Sequence, residues 1–273
     1  AVAALRGGAL RTLRLAHDAA AGSAPLPAQL RLLSALCECR ALRVVQLVNV
    51  GLGDGWGEAL ARALPRLDSV RLLDVSHNLL GDAAAAALTA ALPSNHALVW
   101  LQMLPQWMPL SADVEAPLQR ALASRRLKLN LHLHAVRGAV TAHGTVGTPI
   151  AELEWGGARR RTAAAAAPSL TARFDEHFPL LLPASMLYPP CRCPLGLAVL
   201  DGAPHAQRNG EAPMGSCELP LGALLLADEL QASCTLRRDA TAAPVAAPPA
   251  ELLLSLGTLH VGAPHPDDAS PGV

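Results

Sequence analysis

The chain has 273 residues, of which 51% are hydrophobic and 3% aromatic, and its 22 Lys plus Arg balance its 22 Asp plus Glu. A net charge of zero gives no general argument for a nucleic-acid partner, because proteins that bind nucleic acid carry basic surfaces that neutralise phosphates. The most apolar stretches, such as residues 178–187, are short and interrupted by Pro, so we expect no membrane-spanning segment. The chain starts at Ala1 rather than Met, and we therefore expect it to be part of a longer polypeptide.

The first hundred residues contain a pattern that repeats along the chain. Similar apolar segments begin at Leu10, Leu42, Val70 and Leu98, so the last two intervals are equal and the first is slightly longer. Each segment has further apolar residues at the third and fifth positions beyond its start. A fixed spacing of this kind predicts a solenoid in which every repeat adds one strand and one helix.

The repeated pattern reads LxxLxLxxNxLGDxxxxxLxxxL in residues 70–92, and residues 42–64 match it with Val50 at the Asn position. It resembles the leucine-rich repeats of the ribonuclease-inhibitor type over residues 5–104. The resemblance implies a short α/β leucine-rich-repeat solenoid of about four repeats, with strands on a concave wall and helices on the convex wall. Because an Asn side chain bonds nearby backbone groups, we expect the turn at Val50 to lack those bonds.

In this register three columns of side chains point out of the concave wall. The columns are Thr12, Val44, Leu72 and Trp100; Arg14, Gln46, Asp74 and Gln102; and Ala16, Val48, Ser76 and Leu104. We predict a protein-binding strip made of Val44, Leu72, Asp74, Trp100, Gln102 and Leu104. Leu72 and Trp100 would be its anchors, since large apolar side chains dominate interfaces. The alternative is that another part of the same chain covers the wall.

Residues 105–126 separate the repeats from the second half of the chain. They predict a loop and then a helix that begins near Ser111, with Asp113 and Glu115 in its first turn and Arg125 and Arg126 at its end. We interpret this segment as an irregular last repeat or a linking helix. The predicted domains are therefore repeats over 1–104, this linker, a second domain over 127–262 and a tail over 263–273.

The second domain begins where leucines alternate with polar residues in LKLNLHLH, from Leu127 onward. Alternation with period two predicts a strand. Further candidate strands lie between Pro- and Gly-containing turns at 150–155, 159–163, 174–182, 195–201, 214–219, 233–237 and 251–261. About eight short strands of this kind predict an all-β antiparallel sandwich.

Four segments of this domain resemble the C2 domain family in their order along the chain. GTPI at 147–150 stands where the family commonly has SDPY, and TARFDEHF at 171–178 is similar to its NPxWNExF. VLDGA at 199–203 is similar to VxDxD, and residues 214–221 are similar to IGxxxxPL. The resemblance implies a C2-type sandwich of eight antiparallel strands, with Phe174 in the position of a buried Trp.

The resemblance also indicates where calcium ligands would lie. Many C2 domains hold calcium with loop aspartates, and these positions fall on Ala142, Thr148, Asp201 and Ala203, with a further one near Asn209, Glu211 and Ala212. Calcium requires about six to eight oxygen ligands. A single certain carboxylate remains, so we predict no calcium site and expect Asp201 to bond nearby backbone amides.

Some C2 domains bind phosphoinositides through a basic patch, and Arg159, Arg160 and Arg161 lie in the third predicted strand. This gives an alternative function, a calcium-independent peripheral membrane module that binds anionic phospholipid. Three adjacent residues of a strand cannot all face the same way, which reduces any such patch. The other interpretation is a charged edge strand that resists aggregation.

Two arrangements of residues raise the question of a metal. His132 and His134 share one face of the first strand and could hold a metal with a third ligand, but no carboxylate or Cys is adjacent to them in sequence. Two Cys pairs, at 37/39 and 191/193, are spaced more closely than typical zinc ligands. We therefore predict no metal and no cofactor, and thiols that stay reduced as in intracellular proteins.

The sequence contains no phosphate-binding Gly loop, nucleophile elbow or HExxH motif, so we predict that the chain is not an enzyme. The favoured hypothesis is a non-enzymatic protein-interaction adaptor or structural subunit of a larger intracellular assembly. By analogy of fold, that assembly resembles cytoskeletal or ciliary scaffolds, and we expect a cytoplasmic location. The expected partners are other proteins, with anionic membrane lipid as the alternative and no nucleic acid. A third hypothesis is an inhibitor that binds an enzyme through the concave wall.

Overall fold

A computed structural model describes residues 3, 5, 9–16, 24–141, 145–155, 158–183, 195–202, 213–219, 230–237, 250–256 and 260–262. The chain divides into two compact units. Unit 1 consists of Ala1–Lys128, Leu181–Tyr188 and Leu259–Val273, and unit 2 of Leu129–Leu180 and Pro189–Thr258. No helix among the described residues is long and apolar enough to cross a membrane.

Unit 1 contains a parallel sheet whose four strands follow one another in chain order. The strands are β1 (Thr12–Ala16), β2 (Val44–Val48), β3 (Leu72–Asp74) and β4 (Trp100–Gln102). The helices are α1 (Leu26–Glu38), α2 (Asp54–Ala63), α3 (Asp82–Ala91) and α4 (Ala112–Ala123), and short 3-10 turns at Leu64–Arg66 and Leu92–Ser94 follow α2 and α3. Helix α4 starts directly after Ser111, as predicted.

The register of this sheet reproduces the spacing of the sequence pattern. Val44 pairs with Leu72 and Leu72 with Trp100, across equal stretches of chain, while Thr12 pairs with Val44 across a slightly longer one. The predicted spacing, with its longer first interval, is therefore confirmed. The structure shows a four-stranded parallel sheet with helices, and the solenoid stays a prediction.

The helices pack closely because small residues lie where they meet. Ala84 and Ala85 of α3 are fully buried in the core together with Leu88. A Cβ on Gly57 of α2 would lie 2.4 Å from the Cβ of Ala84, which is far inside van der Waals contact. The buried face of α3 is thus formed by Ala84, Ala85 and Leu88, and Gly57 lets the two helices approach each other.

Asn78 joins the turns of two consecutive repeats. Its Oδ1 accepts hydrogen bonds from the amides of Val50 at 2.9 Å and Leu52 at 3.1 Å, one repeat earlier. Its Nδ2 donates to the carbonyls of Leu47 at 2.7 Å, Val75 at 2.9 Å and Ser76 at 3.1 Å. The side chain is completely buried. Val50 occupies the Asn position of the pattern in this turn, and Asn78 of the next repeat accepts from the amides of Val50 and Leu52.

Gln106 has the same role one repeat later, at the same interval from Asn78 as Asn78 from Val50. Its Oε1 accepts from the amides of Asn78 at 3.0 Å and Leu80 at 3.3 Å. Its Nε2 donates to the carbonyl of Val75 at 2.9 Å and to that of Met103. The side-chain amides of Asn78 and Gln106 thus each connect their own turn to the preceding turn. They supply hydrogen-bond partners to backbone groups that would otherwise be buried without one.

Aspartates connect the repeats at their helix ends. Asp54 Oδ1 accepts from the amides of Gly81 at 2.7 Å and Ala84 at 3.3 Å, at the N-terminus of α3. Asp82 accepts from the amide of Ser111 at 2.9 Å, directly before α4. A carboxylate at a helix N-terminus satisfies free amides and interacts favourably with the helix dipole. Asp54 of the preceding repeat therefore caps α3, and Asp82 bonds the residue directly before α4.

Arg125 closes the opposite side of the last repeat. Its guanidinium donates to the carbonyls of Leu92 at 2.9 Å and Asn95 at 2.9 Å, and also to that of Leu98. Burial lowers the pKa of Arg125 to about 10, so the group stays protonated at neutral pH. The arginine expected to end the linking helix is instead a buried donor to the turn after α3.

The remaining strands are antiparallel. They are β5 (Arg126–Arg137), β6 (Pro149–Trp155), β7 (Ala158–Arg161), β8 (Thr171–Pro183), β9 (Leu195–Asp201), β10 (Pro213–Leu219), β11 (Leu230–Thr235), β12 (Glu251–Leu256) and β13 (His260–Gly262). One sheet has the order β10-β9-β6-β7, and the other has the order β11-β12-β5-β13 with β8 paired to β5. These nine described strands match the eight predicted ones, because the last predicted strand is described as β12 and β13.

Alternation in β5 separates a buried face from an outward one. Leu129, Leu131 and Leu133 are buried, whereas Asn130 is exposed and His132 is half-buried. The strand predicted from LKLNLHLH is therefore present with the expected faces. Phe174 is half-buried rather than fully enclosed as the resemblance implied, and Phe178 is the buried aromatic residue of β8.

Replacing Asn78 with Asp tests the connection between repeats. Asp accepts hydrogen bonds but cannot donate to the three carbonyls that Asn78 Nδ2 reaches, and it places a charge in a buried position. We expect the free energy of unfolding of unit 1 to fall by about 3 kcal/mol. Urea unfolding followed by Trp fluorescence measures this, since Trp56, Trp100 and Trp107 are three of the four tryptophans.

The matched control is Asn130→Asp, an identical change at an exposed position of β5. We expect it to change the urea midpoint little. Equal midpoints for the two variants would show that Asn78 does not hold the repeats together.

Candidate functional site

The predicted binding strip is aligned as expected but is largely covered. Val44 pairs with Leu72 and Leu72 with Trp100, yet only 8% of Val44 and 5% of Leu72 is exposed. Asp74 is also buried, and Trp100, Gln102 and Leu104 are half-buried. Neighbouring strands place the members of one column within about 5 Å of one another, so these side chains lie side by side along the wall. Leu72 is therefore not the exposed anchor that we expected.

The polar members of the strip bond to one another. Asp74 Oδ1 accepts from the amide of Ser76 at 3.0 Å and from its hydroxyl at 2.7 Å. Gln102 accepts from Trp100 Nε1 at 3.3 Å and donates to the carbonyl of Leu104. A partner on this wall would have to compete with these bonds.

Large apolar side chains are exposed at the edge of the sheet instead, in the turns that follow β3 and β4. The exposed fractions are 51% for Leu79, 59% for Trp107 and 63% for Met108. We call these three residues the edge patch. Trp107 donates its amide to the carbonyl of Asn78 at 2.9 Å and its Nε1 to Asn49 Oδ1 at 3.0 Å. The repeat pattern does not predict this patch, although the adjacent Trp107 and Met108 in PQWMP are a visible signal in the sequence.

Asp201 is the one calcium position of the resemblance that keeps a carboxylate among the described residues. It is buried, and its Oδ1 accepts from the amide of Thr148 at 2.9 Å. The amide of Gly202 in turn donates to the carbonyl of Thr148 at 2.8 Å. The expectation that Asp201 bonds backbone amides is therefore confirmed. Ala142, Ala203 and residues 209–212 lie outside the described residues, so the absence of calcium stays a prediction.

The arginine run forms β7, at the edge of its sheet, and all three arginines are exposed. Arg161 Nε lies 2.6 Å from Glu152 Oε2, and Arg159 Nη2 lies 3.3 Å from Glu154 Oε2. Arg160 pairs in register with Leu153, between these two glutamates. Arg159 and Arg161 thus share a face with carboxylates, and Arg160 is on the other face, as strand geometry predicted. The local charge is largely balanced by β6.

The outward face of β5 and β8 brings together a cluster of three imidazoles and one carboxylate. His132 Nε2 lies 2.7 Å from Asp175 Oδ1. The rings of His134 and His177 have centroids 3.9 Å and 3.8 Å from that of His132. His132, His134 and Asp175 each place one ligand atom within 4.8 Å of the others. The third group that the histidine pair lacked in sequence is therefore Asp175.

Among the described cysteines, Cys37, Cys39, Cys217 and Cys234 are free thiols. Burial raises the pKa of Cys37, while Cys39 donates to the carbonyl of Leu10 at 3.9 Å. Burial, and secondarily the neighbouring Cys234, raise the pKa of Cys217 to about 12. Cys191 and Cys193 lie outside the described residues. Cys37 and Cys217 are thus protonated thiols at neutral pH.

No family model and no curated protein matches this chain. Among solved structures, the chain is similar to one of extended synaptotagmin 2 that contains an SMP domain and two C2 domains. The match has 14% identity and a TM-score of 0.38, and it covers 51% of this chain and 29% of that chain. The chain is similar to CC2D1B with 10% identity, coverages of 50% and 55% and a TM-score of 0.39.

A third similar structure is a C2 domain of plant extended synaptotagmin 1, with 16% identity, 47% of this chain and 91% of that chain covered, and a TM-score of 0.36. The chain spans less than two thirds of the first two of these structures. The solved structures that it resembles are thus C2-domain proteins, matched over about half of this chain.

The pKa of Cys217 leads to a test of thiol reactivity. Because the thiolate is the nucleophile, we expect iodoacetamide at about pH 8 to modify Cys217 at least about tenfold more slowly in the folded chain than in the urea-unfolded chain. Mass spectrometry of the peptide containing Cys217 measures both rates. Equal rates would contradict the raised pKa.

The same shift affects stability. In the folded chain the pKa of Cys217 is about 12, above its ordinary value of 9.0. The protonated Cys217 therefore makes its full contribution to the free energy of unfolding below pH 9, and this contribution is lost as the pH rises towards 12.

Proposed function

We propose that this chain is a non-enzymatic protein-interaction module that binds a partner protein through the edge patch of unit 1. The observation that carries the proposal is the exposure of Met108 and Trp107, the two most exposed large apolar side chains among the described residues. Trp and Met are enriched in protein interfaces, where burying them contributes much of the binding free energy. A partner that covers the edge patch would remove this surface from water.

The surroundings of Trp107 suit an anchor residue. Its backbone amide and its indole nitrogen are both hydrogen-bonded, to Asn78 and Asn49 respectively, so the ring is already oriented. An oriented side chain loses less conformational entropy on binding than a free one. Met108, by contrast, is unbranched and adapts its shape to a partner surface. One rigid and one adaptable apolar residue therefore lie side by side.

We extend the proposal to the folds of the parallel sheet with its helices and of the antiparallel sheets. We assign the parallel sheet with helices to a leucine-rich-repeat array, because its regular register and the buried amide of Asn78 are what that pattern requires. We assign the antiparallel sheets to a C2-type sandwich in which Asp201 supports a loop rather than an ion. Both would serve as binding scaffolds in a larger intracellular assembly, for which cytoplasm, cytoskeleton and cilium remain the predicted locations.

The alternative function is calcium-independent binding of anionic lipid through Arg159, Arg160 and Arg161. Glu152 and Glu154 form ion pairs with two of these arginines, and the third lies on the other face. An anionic surface would have to displace two carboxylates that belong to the same sheet. The geometry therefore favours a charged edge strand that discourages pairing with other sheets.

The protein-binding proposal predicts different effects for two tryptophans. Proteins captured from the native source by the full chain would be identified, and the affinity of the retained partner measured by calorimetry. We expect Trp107→Ala to lower that affinity about thirtyfold or more, the usual cost of removing a central aromatic anchor.

Trp100→Ala is the matched control, because Trp100 is half-buried in the strip of the sheet. If Trp100→Ala weakens the complex while Trp107→Ala does not, the concave wall is the binding surface and the edge patch is not.

The membrane alternative is tested by sedimentation with vesicles. Phosphatidylcholine vesicles with and without phosphatidylserine and phosphoinositides would be mixed with the full chain in calcium or in chelator. We expect no sedimentation beyond that with phosphatidylcholine alone, since most of the arginine charge is paired. Salt-sensitive, calcium-independent sedimentation that charge reversal at Arg159–Arg161 abolishes would support lipid binding, and calcium-dependent sedimentation would contradict the interpretation of Asp201.

A further inference from the structure

We propose that His132, His134 and Asp175 form a binding site for a divalent transition-metal ion of the Zn²⁺ class. All three side chains belong to unit 2, and they come from two strands that are paired in one sheet. His132 and His134 are two residues apart on β5, so strand geometry places them on the same face. Asp175 on β8 reaches that face and lies 2.7 Å from His132 Nε2.

The spacing of the donor atoms fits a small ion. In a tetrahedral zinc site with bonds of about 2.0–2.1 Å, neighbouring ligand atoms lie about 3.3 Å apart. The three ligand atoms here already lie within 4.8 Å of one another. The three atoms therefore have to move by only about 1–2 Å to reach bonding distance of one ion.

The donor set selects the class of ion. Two imidazoles and one carboxylate suit Zn²⁺, and also Fe, Ni and Cu, whereas Ca²⁺ requires a shell of oxygen atoms. Three protein ligands leave at least one coordination position for water or for a group from a partner. The inferred site is therefore distinct in chemistry and in location from the loop around Asp201, where the C2 resemblance would place calcium.

Neighbouring residues hold the histidines in position. His134 Nε2 lies 3.0 Å from Ser255 Oγ on β12, and a bond from that nitrogen leaves Nδ1 as the ligand atom. Metal-binding histidines usually have such a partner on the second ring nitrogen, which fixes the ring. The ring of His177 stacks on that of His132 at an interplanar angle of 22°. His132 is thereby held between two other imidazoles.

Asp175 has an unusual backbone for a residue inside a strand. Its φ is 50°, in the left-handed region, although β8 continues on both sides of it. Such a conformation costs free energy for a residue with a side chain, and Asp and Asn are the types that tolerate it best. The strained residue is the one that supplies the carboxylate, next to His132.

The test uses the reduced full chain, freed of metal by a chelator and titrated with Zn²⁺ in a calorimeter and with Co²⁺ in a spectrophotometer. We expect a site of one ion per chain. We also expect Co²⁺ to give visible d–d bands of nitrogen and oxygen ligation without the intense near-ultraviolet band of thiolate ligation. Bound Zn²⁺ should raise the Tm of the wild-type chain.

Asp175→Asn is the informative variant, since Asn has the same shape and tolerates the same backbone conformation. We expect Asp175→Asn and His134→Asn each to weaken Zn²⁺ binding by about tenfold or more and to lose the rise in Tm. His96→Asn, at an exposed histidine of unit 1, is the matched control and should bind Zn²⁺ as the wild type does.

Two results would overturn the proposal. One is the absence of Zn²⁺ binding by the wild-type chain. The other is that Asp175→Asn binds Zn²⁺ with the affinity of the wild type, because the ion would then be held elsewhere, for example by cysteines. This holds whether or not the Co²⁺ spectrum contains a thiolate band. Since Asp175 is an exposed side chain, its replacement by Asn leaves the fold intact, and the outcome reports on the ligand itself.

Discussion

The parallel half of the molecule depends on one buried amide. Asn78 bonds two amides and one carbonyl of the preceding turn and two carbonyls of its own. Short strands of this kind cannot satisfy the backbone of the turns that follow them, so a side chain has to do so. Through these bonds Asn78 connects the turn after β3 to the turn after β2, and Gln106 connects the turn after β4 to the turn after β3.

Much of this half could be predicted from the sequence because its contacts lie one repeat apart. Spacing alone was enough to predict the register of Leu72 with Val44 and Trp100. Gln106 was missed because it replaces Asn by a longer side chain and follows Pro105, so the pattern is hidden although the bonds are the same. The burial of Leu72 could not be predicted, since a pattern shows which face a residue is on but not what covers that face.

The antiparallel half shows the limit of such reasoning more clearly. Alternation predicted its strands well, and the backbone role of Asp201 followed from counting carboxylates. The partner of His132 could not be found, because Asp175 is far away along the chain and only strand pairing brings the two together. A pair of histidines that looked incomplete in sequence is a three-residue cluster in the structure, and a run of arginines that looked basic is matched by glutamates from the next strand.

The aspartates at the helix ends have a consequence for how this half can change. Each accepts a bond from an amide at or directly before the start of the following helix, so these interactions run in one direction along the chain. Insertion or loss of a single residue inside a repeat would misalign Asp54 with the amide of Gly81 and Asn78 with that of Val50 at once. Insertion of a whole repeat would reproduce every one of these bonds. The unit of variation in this half is therefore the complete repeat, and its length can change in steps of the interval from Val44 to Leu72 without new side-chain chemistry.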